Sequence, residues 1–209
     1  LLTGSRIKMN KVALRFLSSS LMAISLAPLS AQAQDTPRSD KHYVGLLVTA
    51  LEHRSIGDRT KEDAWGQAGT LVIGGHLNDL IHAEIRLGGG FNDADVSGGD
   101  LTLAVDYFAS WYMGLHYPIT DYANVYAQAG FTHVKGEATL PNREEGYNAQ
   151  FRDIEGDYPD SSFSISWLAG VDFEVLSNTF LVFEGGRLFK DTGSSANTFQ
   201  FSTGLRYEF

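Results

Sequence analysis

The stretch TFQFSTGLRYEF, residues 198–209, decides the fold. Read at a period of two, it sets Phe199, Phe201, Thr203, Leu205, Tyr207 and Phe209 on one side, and Gln200, Ser202, Gly204, Arg206 and Glu208 on the other. Successive residues of a strand point to opposite faces, so this is a strand with one ring-rich face and one polar face. Chain ends ordinarily fray and are polar, and this one is apolar at every second position.

The same alternation recurs upstream. In 104–117, Val105, Tyr107, Ala109, Trp111, Met113, Leu115 and Tyr117 oppose Asp106, Phe108, Ser110, Tyr112, Gly114 and His116. In 162–174, Phe163, Ile165, Trp167, Ala169, Val171 and Phe173 oppose serines, Gly170, Leu168 and two acids. In 81–91, Ile81, Ala83, Ile85, Leu87 and Phe91 oppose His82, Glu84, Arg86 and Gly88. A tilted strand of about 9–11 residues crosses a bilayer. In a soluble sandwich the outward face would be more charged than these Ser, Gly and Tyr positions.

Eight strands are expected, at about 43–53, 66–76, 81–91, 102–116, 124–135, 162–174, 179–189 and 198–209. The connections after the second, fourth and sixth are short and rich in Asn, Asp and Pro; the others, about 54–65, 92–101, 136–161 and 190–197, are long. An even strand count with short turns on one rim and long loops on the other predicts an all-β fold: an eight-stranded antiparallel up-and-down transmembrane β-barrel.

The opposite end carries an export address. From Met9, Lys11 and Arg15 precede an apolar run from Phe16 to Leu29 and the small-x-small site Ala31-Gln32-Ala33, the pattern of a secretory signal peptide. The reading is therefore 1–33 as upstream residues plus a cleaved leader, and 34–209 as the barrel. Removing the leader takes four of the 16 Lys+Arg and no acid, leaving 12 against 25 Asp+Glu, a formal charge of −13. Such a chain is a poor partner for nucleic acid, whose phosphates demand Lys and Arg. There is no cysteine, so neither disulfides nor thiolate metal sites stabilise it.

The segments HYVGLLVTALE (42–52), GGHLNDLIHAEIRLGGGF (74–91), VYAQAGFTHV (125–134) and FSTGLRYEF (201–209) together resemble the small outer-membrane barrels of the OmpA transmembrane-domain and OmpX type. That resemblance implies a Gram-negative outer membrane, with its lipid and lipopolysaccharide as partners. Ser202, Gly204, Tyr207 and Phe209 resemble the terminal insertion signal that the outer-membrane assembly machinery reads by strand pairing. Related barrels often place an acid and a base four apart on the seventh strand. Here Glu184 and Arg187 are three apart, so Arg187 faces outward near the rim unless a bulge intervenes, and the inward partner of Glu184 is open.

An eight-stranded barrel is just wide enough for its own side chains. Charges inside must pair, which makes Glu84, Arg86, Asp106, Glu184 and Arg206 the candidate lumen residues. They form either a plug or the wall of a narrow path for ions or small solutes. Hydrolysis in the style of the lipid A deacylases needs a His and a Ser two apart on one face. His133 is followed by Lys135, and His53 precedes Ser55 only at a loop start. The six histidines never take a metal-ligand spacing, and Gly88 to Gly90 lack the Lys and helix of a phosphate loop. No catalytic residue, metal or cofactor is expected.

The longest loop holds seven acids against three bases within 135–162, interleaved with aromatic residues. It is either a solvated loop or a surface that binds something, with Glu144, Glu145, Tyr147, Phe151, Asp157 and Tyr158 as candidates. The function expected is a non-enzymatic barrel with a structural or surface-interaction role through its loops; the alternative is a narrow channel.

Overall fold

The computed structural model describes residues 38–57, 61–96, 100–141, 151, 154–159, 163–192 and 194–209. The expected leader, together with Glu144, Glu145 and Tyr147 of the long loop, lies outside the described residues.

A short 3-10 turn, Arg38–Asp40, precedes eight long strands: β1 (His42–Ile56), β2 (Glu62–His76), β3 (Ile81–Asn92), β4 (Leu101–Thr120), β5 (Ala123–Thr139), β6 (Phe163–Leu176), β7 (Thr179–Lys190) and β8 (Asn197–Glu208). Each pairs antiparallel with the next, and β8 returns to β1 from Tyr43↔Glu208 to Arg54↔Asn197, which closes the sheet. The strands run further than the alternation predicted, with β2 beginning at Glu62 and β5 reaching Thr139. The ladders also extend into what was expected to be loop, as Ala94–Val96 joins β4 and Gly156–Asp157 joins β5. Pairing satisfies the backbone wherever it goes, so hydrogen-bonded hairpins continue beyond the lipid-facing alternation.

Burial is inverted relative to a soluble protein. Leu46 and Phe163 on the outside are each 69 % exposed, whereas Asp172 is fully buried inside. A contiguous apolar surface of this extent is tolerated only against lipid. The short turns suit their residues: Asn78 Oδ1 accepts from the Leu80 and Ile81 amides at 2.9 and 2.7 Å. Asn178 takes φ 60°, a left-handed conformation that Asn tolerates. Gly88 is required by close approach, because a Cβ there would run into the Phe108 ring.

Two of the bulges in the ladders bear on the residues singled out from the sequence. In β4, Val105 pairs with Gly136 and Tyr107 with Lys135, which leaves Asp106 as the extra residue. Asp106 is exposed on the outer surface and is not a lumen residue, while Leu101, Leu103 and Val105 turn inward. In β7, Phe189 pairs with Thr198 but Arg187 with Phe199, so Leu188 is the extra residue. Arg187 lies below that bulge and keeps the outward parity expected of it.

These shifts divide the interior into two compositions. The lower barrel sets its charged and polar groups around a smaller apolar cluster of Tyr43, Leu47, Val72, Tyr112, Tyr126, Leu168 and Val182. The upper barrel is an apolar cluster built from Ile56, Leu103, Phe108, Leu140, Leu188 and Phe189, among others.

Candidate functional site

The lumen is built in layers, and strand parity supplies each one. At the centre, Glu84 and Arg86 are inward neighbours on β3, and Glu184 points in from β7 across the barrel. Arg86 donates through Nε to Glu84, and through Nη1 and Nη2 to both oxygens of Glu184, the Nη2 bond being 2.8 Å. Each carboxylate also accepts a tyrosine: Tyr43 to Glu84 at 3.0 Å and Tyr126 to Glu184 at 2.7 Å. The guanidinium lies 5.4 Å from the centroid of the Tyr112 ring. A charge so enclosed needs this degree of pairing, and here the side chains of Arg86, Glu84, Glu184, Tyr43 and Tyr126 converge on one another.

Below this layer, Arg206 on β8 donates to Asp172 at 2.8 Å and to Glu208 at 3.3 Å. Asn124 donates to the other Asp172 oxygen at 2.6 Å. Arg38, from the 3-10 turn, reaches up to His116 Nδ1 at 2.9 Å and Asn124 Oδ1 at 3.2 Å, and so caps the lower mouth. His76, His82 and His116 pack there with ring centroids 5.2 to 6.1 Å apart. Among the described residues, no group of three or more His, Asp or Glu is placed to hold a metal ion.

Above the centre, small hydroxyl side chains span the wall. Thr49 Oγ1 lies 2.8 Å from Thr70 and 3.0 Å from Ser202, and Ser110, Thr132 and Ser166 form a second chain at 2.8 Å per link. Over these sits the apolar cluster, and the long loop enters it. Phe151 is fully buried, and Ile154 and Tyr158 are buried beside it. Tyr158 packs edge-on to Phe189 with centroids 5.7 Å apart, and its hydroxyl lies 3.3 Å from His53 Nδ1. Burial pushes the Tyr158 hydroxyl above its ordinary range, so it stays neutral. His53 Nδ1 also bonds Thr198 at 2.8 Å.

The structure therefore gathers Glu84, Arg86 and Glu184 into one cluster and sets Arg206 in the layer beneath, with Asp106 outside. The open question of the Glu184 partner is answered by Arg86 and Tyr126. Phe151 and Tyr158 are corrected: the upper barrel is apolar, so the loop rings fall into it and do not face outward as surface anchors. Asp157 is exposed at the edge of β5, opposite Glu137. On β8, Ser202 faces inward to Thr49, Gly204 sits against Leu47, and Tyr207 and Phe209 stack outward with centroids 6.3 Å apart. Phe209 exchanges backbone hydrogen bonds of 2.8 and 3.0 Å with His42. Arg38 and the central role of Tyr43 were not anticipated. Nothing in a polar Arg-Ser-Asp turn signals a cap.

A small void lies between the two charged layers, bordered by Glu84, Arg86, Tyr126, Glu184 and Arg206. Its volume of about 10 Å³ is at the lower limit of what one water needs.

The sequence profile of the outer membrane protein beta-barrel domain matches residues 19–209. The chain belongs to that family. Its place is accordingly the outer membrane of a Gram-negative bacterium. Among curated proteins, none matches the chain by sequence. Among solved structures, this outer-membrane barrel is similar to Ail, the attachment invasion locus protein of Yersinia pestis, determined in complex with the heparin analogue sucrose octasulfate. The identity is 15 %, the TM-score 0.50, and the match covers 80 % of this chain and 99 % of Ail. It is also similar to OprG of Pseudomonas aeruginosa, at 10 % identity and TM-score 0.50, over 82 % of this chain and 97 % of OprG. At these identities the likeness is one of fold.

Proposed function

We propose that this protein is a non-enzymatic outer-membrane barrel whose lumen is closed and whose work is done at its extracellular face, in adhesion or envelope integrity. The observation that carries this reading is the stack of seals inside the barrel. An ion entering from above meets the apolar cluster filled by Phe151 and Tyr158, then the Arg86–Glu84–Glu184 cluster, then the Arg206 and Arg38 layers. Desolvation in the first and fixed opposite charges in the second both oppose passage. Surface contact is a use to which this fold has been put, since Ail is named for attachment and invasion and was solved with a heparin analogue.

The test is planar-bilayer conductance of the protein extracted from outer membranes, with heat-dependent gel mobility confirming the closed barrel. Silence across salts and voltages is expected. Reproducible small steps altered by Arg86→Ala or Glu84→Ala would establish the alternative, a narrow channel gated by the same residues. For the loop, removal of all of 136–161 would also unseat the plug. The informative variant is E144Q/E145Q/D157N, which leaves Phe151 and Tyr158 in place. Cell-surface adhesion and divalent-cation sensitivity are expected to fall, and an unchanged value of both would remove the acidic loop from the reading.

A further inference from the structure

The lower mouth is closed by a segment that is not part of the barrel wall. The 3-10 turn Arg38–Asp40 precedes β1, and Arg38 lies half-buried over the opening. The turn is tied to the rim by Arg38 N, which donates to Asp79 Oδ1 in the short β2–β3 turn at 3.0 Å. Among the described residues, the partners of its guanidinium are uncharged: His116 Nδ1 at 2.9 Å and Asn124 Oδ1 at 3.2 Å. A guanidinium can only donate, so His116 Nδ1 is bare and the ring hydrogen sits on Nε2, 3.3 Å from Asp172 Oδ2.

His116 faces titratable groups on every side. β2 and β3 bring His76 and His82, with ring centroids 5.2 and 5.7 Å away, and β3 also carries Glu84. β1 adds Tyr43, β5 adds Tyr126, β6 adds Asp172, and β8 adds Arg206 and Glu208. β7 turns in Phe180 at this level, which does not titrate. From the central layer to the mouth, the guanidiniums of Arg38, Arg86 and Arg206 therefore face the carboxylates of Glu84, Asp172, Glu184 and Glu208. Three cations against four anions leave room for one added proton, whereas three histidines stand ready to take one. Nδ1 of His76 and Nδ1 of His82 have no hydrogen-bond partner among the described residues.

We propose that the Arg38–His116 contact is a proton-operated latch, which holds the N-terminal turn over the lower mouth at neutral pH and releases it in acid. The short turns mark this mouth as the periplasmic one. A proton taken from the periplasm onto His116 Nδ1 occupies the lone pair that Arg38 uses, and an acceptor becomes a second cation at hydrogen-bond distance. Arg38 is the partner that leaves, because His116 is fixed in the β4 ladder opposite Tyr126, while the turn lies outside every strand. The imidazolium stays, held by Asp172. The latch is separate from the Arg86 cluster, so its release uncovers the layer of Arg206, Asp172 and Glu208 without opening the central seal.

The chain has no cysteine, so Asp40→Cys, at the exposed end of the turn, takes a single nitroxide label. The labelled protein is extracted from outer membranes and its spin-label mobility is followed from about pH 8 to about pH 4, with heat-dependent gel mobility confirming the closed barrel at each pH. The ratio of mobile to immobile label should rise about tenfold or more across that range. His116→Asn supplies an acceptor oxygen that no proton can occupy, and its label should stay immobile throughout. Arg38→Ala should leave the label mobile at both ends. A parent whose label does not respond to pH overturns the proposal. So does a step that persists in H116N, which would belong to the carboxylates or the other histidines. A step of equal size from a label at Ser195→Cys on the opposite rim would show general loosening and also overturns it. If H116N does not give the folded band, R38A decides: a label that is immobile at the upper pH, or that keeps the parental step, refutes the latch.

Discussion

Replacing Arg86 by methionine would test whether the central layer holds the barrel together. The side chain donates to both Glu84 and Glu184. Its removal leaves two enclosed carboxylates with one tyrosine each, Tyr43 at 3.0 Å and Tyr126 at 2.7 Å. Breaking a buried ion pair by deleting one partner costs about 3–5 kcal/mol, because the remaining charge is stranded. With a urea slope of about 1–3 kcal/mol per M, the unfolding midpoint should fall by about 2 M. Trp65, Trp111 and Trp167 all face outward, so their fluorescence follows loss of the lipid environment during a urea titration in vesicles. The variant E84Q/R86M/E184Q removes the stranded charges as well and should recover most of the loss. A midpoint for R86M within about 0.3 M of the parent, or no recovery in the triple variant, would refute the reasoning.

Other consequences are open to simpler assays. Phe151→Ala should cost about 3–5 kcal/mol of loop docking and is expected to speed protease nicking within 136–161 while the strands stay protected. Deleting Asp106 should turn Leu101, Leu103 and Val105 from the interior to the outside, with the β4–β5 hairpin becoming protease-sensitive above Tyr107; an unchanged digest would show that the bulge does not set the parity. Phe209→Ala should lower the amount of barrel assembled in the outer membrane. The assembled fraction should keep the parental urea midpoint, since among the described residues the rings that the Phe209 ring meets are Tyr207 and His42, both at the rim.

The eight strands were legible because alternation is local: Phe199 to Phe209 announces its faces without reference to any other strand. The lumen was legible as a set of inward residues but not as a set of pairs. Arg86 and Glu184 are 98 positions apart and meet across the barrel, a distance that parity does not encode. Asp106 was misplaced because one inserted residue inverts every side chain beyond it, and the sequence Val-Asp-Tyr carries no mark of the insertion. Phe151 and Tyr158 were misplaced because the surrounding acids predict solvent; the apolar upper interior, to which the Asp106 bulge adds Leu101, Leu103 and Val105, provides the place they fill.

The seam between β1 and β8 has a consequence for the order of events in folding. Thr49 and Ser202 bond across it although 153 positions separate them. Every other neighbouring pair of strands can zip soon after both are made, but this one waits for the whole barrel to be present. Until then β1 and β8 each expose a row of unpaired amides and carbonyls, which lipid cannot satisfy and which a stray strand could. Closure is therefore the slow, all-or-none step, since it carries the largest loop-closure entropy in the molecule. A chaperone that shields one of these two edges would accelerate assembly more than one acting anywhere else on the chain.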